Sequence, residues 1–141
     1  MTRFDQSVAE GQAKKIYLER IKAKSLLKSA EEAVSAAKKF PFEPTILKSI
    51  LRELYEGFRQ YCEAIGYLRG YKFLSHEVIV YFLEDVLQEK AVAARFDRYR
   101  KIRNGINYYG DDVSPETVKE ALAEIPMLIE KLRQYTLELR K

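Results

Sequence analysis

Leu47, Leu51, Leu54, Phe58, Tyr61, Ile65 and Leu68 follow one another at spacings that alternate between four and three residues. That rhythm draws one continuous apolar seam along an α-helix, and a seam of that kind demands a second helix laid against it. The chain therefore predicts helix-on-helix packing before any other feature is considered. Cys62 lies beside the seam and reads as a small buried hydrophobe.

The flanking sequence extends the pattern. From about Gln6 to Phe40 there is no proline, and alanine, lysine, leucine and glutamate dominate, which predicts one long helix. Its stripe is Ile16, Ala23, Leu27, Ala30, Val34 and Ala37, and the small alanines allow a neighbouring helix to come close. Pro41 and Pro44 break that helix, and Pro44 suits the first turn of the seam helix, where a missing N–H costs nothing. Ser75 with Glu77 starts a short, very apolar helix through Val78 to Val86, which must be covered by the rest of the chain or by a second subunit. His76 stands at the first position of that helix, far in sequence from the other polar features, and reads as a surface or cap-neighbouring residue.

A fourth helix is expected from about Gln88, with Val92, Phe96, Tyr99, Ile106 and Tyr109 turned to the core and Gly110 ending it. Ser114-Pro115 then opens a last helix with Val118, Leu122, Ile125, Leu128 or Ile129, Leu132, Tyr135 and Leu139 as its seam. Pro126 inside it predicts either a kink or a lost hydrogen bond on an exposed side. No strand signal competes. Residues 1–141 read as a single all-α domain, an up-and-down bundle of four or five helices, and 141 residues suffice for a core without disulfides or metals.

Charge and cysteine content narrow the function. The formal charge is +4, a modest tilt toward anionic partners. One cysteine and one histidine exclude a disulfide framework and a His-rich or thiolate metal centre, and the acidic residues are dispersed along the helices, so neither metal nor cofactor is expected. There is no cleavable apolar leader and no apolar run long enough to span a membrane, which predicts a cytoplasmic protein.

The run from Arg98 to Gly110 concentrates arginines, amides and phenols. At about 100° per residue, Arg100, Arg103 and Asn107 project within about 60° of one another, with Asn104 and Tyr108 just beyond. Arg103 falls about 20° from the apolar Phe96, at the margin of the buried stripe, where a guanidinium needs an acceptor. Either a carboxylate of the same chain or an outside oxyanion can supply one. Gly105 costs helix stability, which points to a close approach by a neighbouring helix or by a ligand.

The five-helix layout, the segment Arg103-Asn104-Gly105-Ile106-Asn107-Tyr108-Tyr109 on the penultimate helix, and the proline-started helix after it resemble the HEPN domain family of small helical prokaryotic proteins, often encoded beside minimal nucleotidyltransferases. Active members are metal-independent endoribonucleases used as toxins of toxin–antitoxin pairs, with an arginine, a polar residue beside it and a histidine a few residues on, paired across a homodimer. By that resemblance Arg103 is the family arginine and Asn104 its polar neighbour, while the histidine position falls at Tyr108, or at Asn107 if the match slips by one. The chain departs from the family there, since neither is histidine.

The resemblance implies a homodimeric module, and together with the helical projection that adds Arg100 it predicts binding of nucleotide or RNA phosphate, or of a partner nucleotidyltransferase, through Arg100, Arg103, Asn104 and Asn107. Its alternatives are a ribonuclease toxin with an altered set, Arg103 and Tyr108 in the catalytic positions, and a purely structural helical dimer with an internal ion-pair network. Tyr109 or Tyr108 would be the acceptor if the partner enzyme adenylylates the motif tyrosine.

Overall fold

The computed structural model describes residues 1–140, which are mostly helical with one small two-stranded sheet. The elements in order are α1 (Arg3–Ala9), β1 (Ala13–Lys15), α2 (Arg20–Lys39), α3 (Leu47–Leu68), β2 (Tyr71–Phe73), α4 (Glu77–Tyr81), a π turn (Phe82–Val86), α5 (Lys90–Tyr109), α6 (Pro115–Leu132) and two short 3-10 turns (Arg133–Tyr135 and Leu137–Arg140). No helix among the described residues is long and apolar enough to cross a membrane.

The expected single helix from Gln6 to Phe40 is two helices. Thr2 caps α1 with a reciprocal box, its hydroxyl accepting from the Asp5 N–H at 3.0 Å and its own N–H donating to Asp5 Oδ2 at 3.2 Å. Gly11 then turns the chain with a φ of +81°, a left-handed conformation that stops a helix. β1 follows and pairs antiparallel with β2, Lys14 opposite Lys72. The ribbon continues past both strands, through Ile16 N–H to Gly70 O at 2.9 Å and Leu74 N–H to Gln12 O at 2.9 Å. These bonds hold the segment that leads into α4.

α2 and α3 form an antiparallel hairpin, since Glu19 bonds Tyr67 at one end while Ala30 and Ala33 meet Gly57 in the middle. Every residue of the α3 seam is buried, and Ala23, Leu27, Ala30 and Ala37 answer it from α2. α3 starts later than Pro44 suggested, because Glu43–Ile46 is spent on a turn closed by Ile46 N–H to Glu43 O at 2.9 Å. Cys62 is buried, and burial pushes its thiol up, out of the range where a thiolate forms.

The apolar α4 segment is covered by its own chain: Val78, Ile79, Phe82 and Leu83 are all buried, with Phe4 of α1 edge-on to Phe82 at 5.5 Å. α5 buries Val92, Phe96, Tyr99 and Ile106 as expected, but Tyr109 is 81% exposed. The reason is drift: at about 100° per residue Tyr109 stands about 140° round the helix from Phe96. Gly110 closes α5 in the left-handed conformation, and Ser114 caps α6 by accepting from Thr117 N–H at 3.1 Å, with Pro115 in first position. α6 runs through Pro126 to Leu132 as one helix. Tyr99, fully buried, donates to Glu124 of α6 at 2.6 Å, and Arg95 and Arg98 pair with Glu124 and Glu120 beside it, so α5 and α6 are joined by charge as well as by packing.

Candidate functional site

The arginine run does not behave as one wall. Arg98 is spent on Glu120 at 3.1 Å. Arg100 bonds Asp97 at 2.7 Å and lies 3.8 Å from Glu77; only 14% of its side chain is exposed. Burial pushes the Asp97 carboxyl up, but its hydrogen bonds to Arg100 and Lys101 outweigh that and hold it below the ordinary carboxylate range. Arg100 therefore brings its charge to the site already balanced.

Arg103 differs. Its Nη1 donates to Asn104 Oδ1 at 3.1 Å and reaches the Tyr108 hydroxyl at 3.5 Å, both neutral acceptors. The guanidinium sits 5.7 Å from the centre of the Tyr55 ring and 5.9 Å from that of Tyr108. Among the described residues no carboxylate pairs with it, and the hydrogens on Nε and Nη2 have no acceptor. A cation so placed keeps donors free for an outside oxyanion.

An open cavity of about 280 Å³ lies in front of Arg103, lined by Arg100, Asn104 and Tyr108 of α5 and by Ser75, His76 and Glu77 at the entry to α4. His76 is thus brought to the arginine motif, contrary to the sequence reading that kept it apart. The geometry has local causes. Ser75 Oγ accepts the Val78 N–H at 3.2 Å and fixes the first turn of α4, while the β1–β2 ribbon aims the residues just before it. His76 Nδ1 is 3.0 Å from the hydroxyl of Tyr55, which is itself buried on α3 between the imidazole and Phe96.

Burial pushes the His76 imidazole down to about 4, with the cations Arg59, Arg103 and Arg100 adding to the effect and Glu56 opposing it. The ring is neutral at pH 7. With Tyr55 donating to Nδ1, Nε2 carries the proton; with Nδ1 donating to Tyr55, Nε2 offers a lone pair. Burial also raises the Tyr55 phenol above its ordinary value, so it stays protonated and able to donate.

One consequence concerns stability. In the unfolded chain His76 protonates near its ordinary value, whereas the folded chain holds it neutral down to about 4. Between those values the unfolded state binds the extra proton, so stability falls as pH drops through that window and levels off below it. His76→Gln removes the effect: its melting temperature should depend less on pH between about 6.5 and 4 than that of the parent. Equal slopes for the two proteins would contradict the assignment.

The remaining candidates are dispersed. Asn107 turns away from the cavity and accepts from Arg52 Nε of α3 at 2.7 Å. Tyr108 is 67% exposed at the cavity rim, and Tyr109 is exposed beyond it. Gly105 meets the chain's own turn: a Cβ there would lie 2.6 Å from Asp111 Oδ2, and its carbonyl accepts the Asp111 N–H at 3.1 Å. The Asp111 side chain, not another helix, makes that approach. Sequence reasoning missed Tyr55 and Arg52, which lie on the seam helix one turn apart, and it misplaced His76.

A larger groove of about 510 Å³ between α1 and α4 has one cation in its lining, Arg3, which Glu84 engages at 3.4 Å. That groove offers an oxyanion nothing comparable.

The chain matches no family model, no curated protein and no solved structure.

Proposed function

We propose that the protein is an HEPN-like module, an up-and-down helical bundle acting as a homodimer, that binds the phosphates of RNA at the Arg103 cavity. The observation that carries this reading is the guanidinium of Arg103, half-buried, held by neutral acceptors and left with unengaged hydrogens beside an open cavity. Phosphate oxygens match those donors in pairs. Asn104 orients the arginine, and the exposure of Tyr108 and Tyr109 leaves both open to a second copy or a nucleotidyltransferase partner. RNA and nucleotide phosphates share this chemistry, and the modest positive charge of the chain favours both.

His76 favours a second reading, metal-independent RNA cleavage. The 2′-oxygen attacks phosphorus as its proton passes to Nε2 of His76, the bond to the 5′-oxygen breaks, and that oxygen takes a proton from Tyr108 or water, leaving a cyclic phosphate and a 5′-hydroxyl. Arg103 stabilises the charge gathering on the phosphoryl oxygens. An imidazole held at about 4 is a weak base at neutral pH, since proton-transfer catalysts work best near the operating pH. Binding therefore ranks ahead of turnover.

The test is incubation of labelled single-stranded RNA with the protein in chelator, read by anisotropy and by gel. The expected result is saturable, salt-sensitive binding of RNA that stays intact. Products ending in cyclic phosphate that disappear with His76→Ala would establish the second reading instead. RNA that neither binds nor breaks would remove both.

A further inference from the structure

Arg52 shares the property that singles out Arg103. Its Nε donates to Asn107 Oδ1 at 2.7 Å, and no carboxylate pairs with it among the described residues. Glu56, four residues on and the natural helical partner, is taken by Arg59 and by Gln60 Nε2 at 3.1 Å. Nearby cations each have a carboxylate partner: Arg59 pairs with Glu56 and Glu63, Arg100 with Asp97 and Glu77, Lys101 with Asp97, which it shares, and Lys48 with Asp112. Two guanidiniums, on α3 and α5, are instead tethered by amides and keep donors free.

The tethers are neighbours on the surface of α5. Asn104 holds Arg103 and Asn107 holds Arg52, and residues three apart on one helix lie about 5–6 Å apart at Cβ. Phosphorus atoms that share a bridging oxygen are closer together than these anchors. Those of successive nucleotides are separated by a whole ribose, which leaves room for a separate guanidinium on each. An asparagine side chain also fixes a guanidinium without cancelling its charge, which a carboxylate would do. Arg52 is exposed, so a strand can reach it without rearrangement of the core.

We infer that Arg52 is a second phosphate-binding residue, so that Arg103 and Arg52 together grip two successive phosphates of an RNA strand running from the His76 cavity across α5 to α3. This extends the RNA-binding reading and rests on it. Asn107 acts here as a positioning residue for Arg52.

The experiment compares short RNAs with one and with two phosphodiester linkages, and inorganic pyrophosphate, on the full chain and on Arg52→Ala. Arg52→Ala should bind the longer RNA about tenfold more weakly, the size of one charge-assisted contact, and bind the shorter one as the parent does. On a longer single strand the slope of log affinity against log salt should fall by about 0.7, one phosphate contact. Lys22→Ala removes the same charge near the Tyr67 end of the α2–α3 hairpin, roughly 20 Å along α3 from Arg52, and should leave both values unchanged. Asn107→Ala should reproduce part of the Arg52 loss, which a mere surface asparagine would not.

If the parent binds RNA and Arg103→Ala weakens it while Arg52→Ala does not, the second contact is refuted and the first stands. If the parent binds no RNA, both fall together. Pyrophosphate bound more tightly than the longer RNA would refute the successive-phosphate geometry.

Discussion

Arg103→Ala should lose about ten- to a hundredfold in RNA affinity while its stability changes by less than about 1 kcal/mol. The two halves of that expectation have one cause. A guanidinium locked to a buried carboxylate would cost about 3–5 kcal/mol on truncation, because the abandoned partner stays charged inside the fold. Arg103 has no such partner among the described residues; it leaves behind Asn104 and Tyr108, both of which water can reach, and the Tyr55 ring beneath it. What it does lose is a fork of donors aimed at an open cavity. Arg103→Lys keeps the charge without the fork and should recover only part of the affinity. Isothermal titration paired with thermal melting reads both quantities, and a large drop in melting temperature with unchanged RNA affinity would make Arg103 structural.

Gly57→Val is expected to be the most destabilising of the substitutions considered, by about 1–3 kcal/mol or more. A Cβ at this position would stand 2.7 Å from Val34 Cγ2 and 3.0 Å from the Ala30 carbonyl oxygen. The second of these is backbone of α2 and cannot rotate away, so the hairpin must open by several tenths of an ångström along its most closely packed stretch. Valine adds a second branch to that conflict and has poor helix propensity. Against a total stability of about 5–15 kcal/mol the loss is large, and urea unfolding should show it as a lowered midpoint. An unchanged midpoint would mean that α2 and α3 do not meet at Gly57.

The sequence made the helical seams plain and left the site half visible, for reasons that differ residue by residue. The α3 seam repeats over six turns, and the Gly110 and Ser114-Pro115 punctuation acts within a few residues, so local reading finds both. β1 and β2 are three residues each and owe their existence to one another across more than fifty positions; no local period marks them. Arg103 could be distinguished from Arg100 by spacing alone. Arg100 has Asp97 three residues before it, whereas Tyr99, Arg100, Ile106 and Asn107 occupy the helical neighbour positions of Arg103.

His76 carries no periodic signal, and its place depends on the ribbon that the sequence hides. Arg52 is obscured for a different reason. Glu56 stands at the right helical distance to pair with it, and only the competing claim of Arg59, settled in three dimensions, leaves Arg52 to Asn107. Tyr109, by contrast, was misjudged within its own helix, because a stripe that drifts by a fixed angle each turn no longer faces the core at its end.

The most direct measurement is a crystal structure of the protein with a short single-stranded RNA whose 2′-hydroxyls are methylated to prevent cleavage. A phosphate oxygen within hydrogen-bonding distance of Nε and Nη2 of Arg103, with His76 facing the adjacent ribose, is the predicted result. RNA bound elsewhere on the chain, or Arg103 turned onto a carboxylate with the cavity closed, would contradict the account.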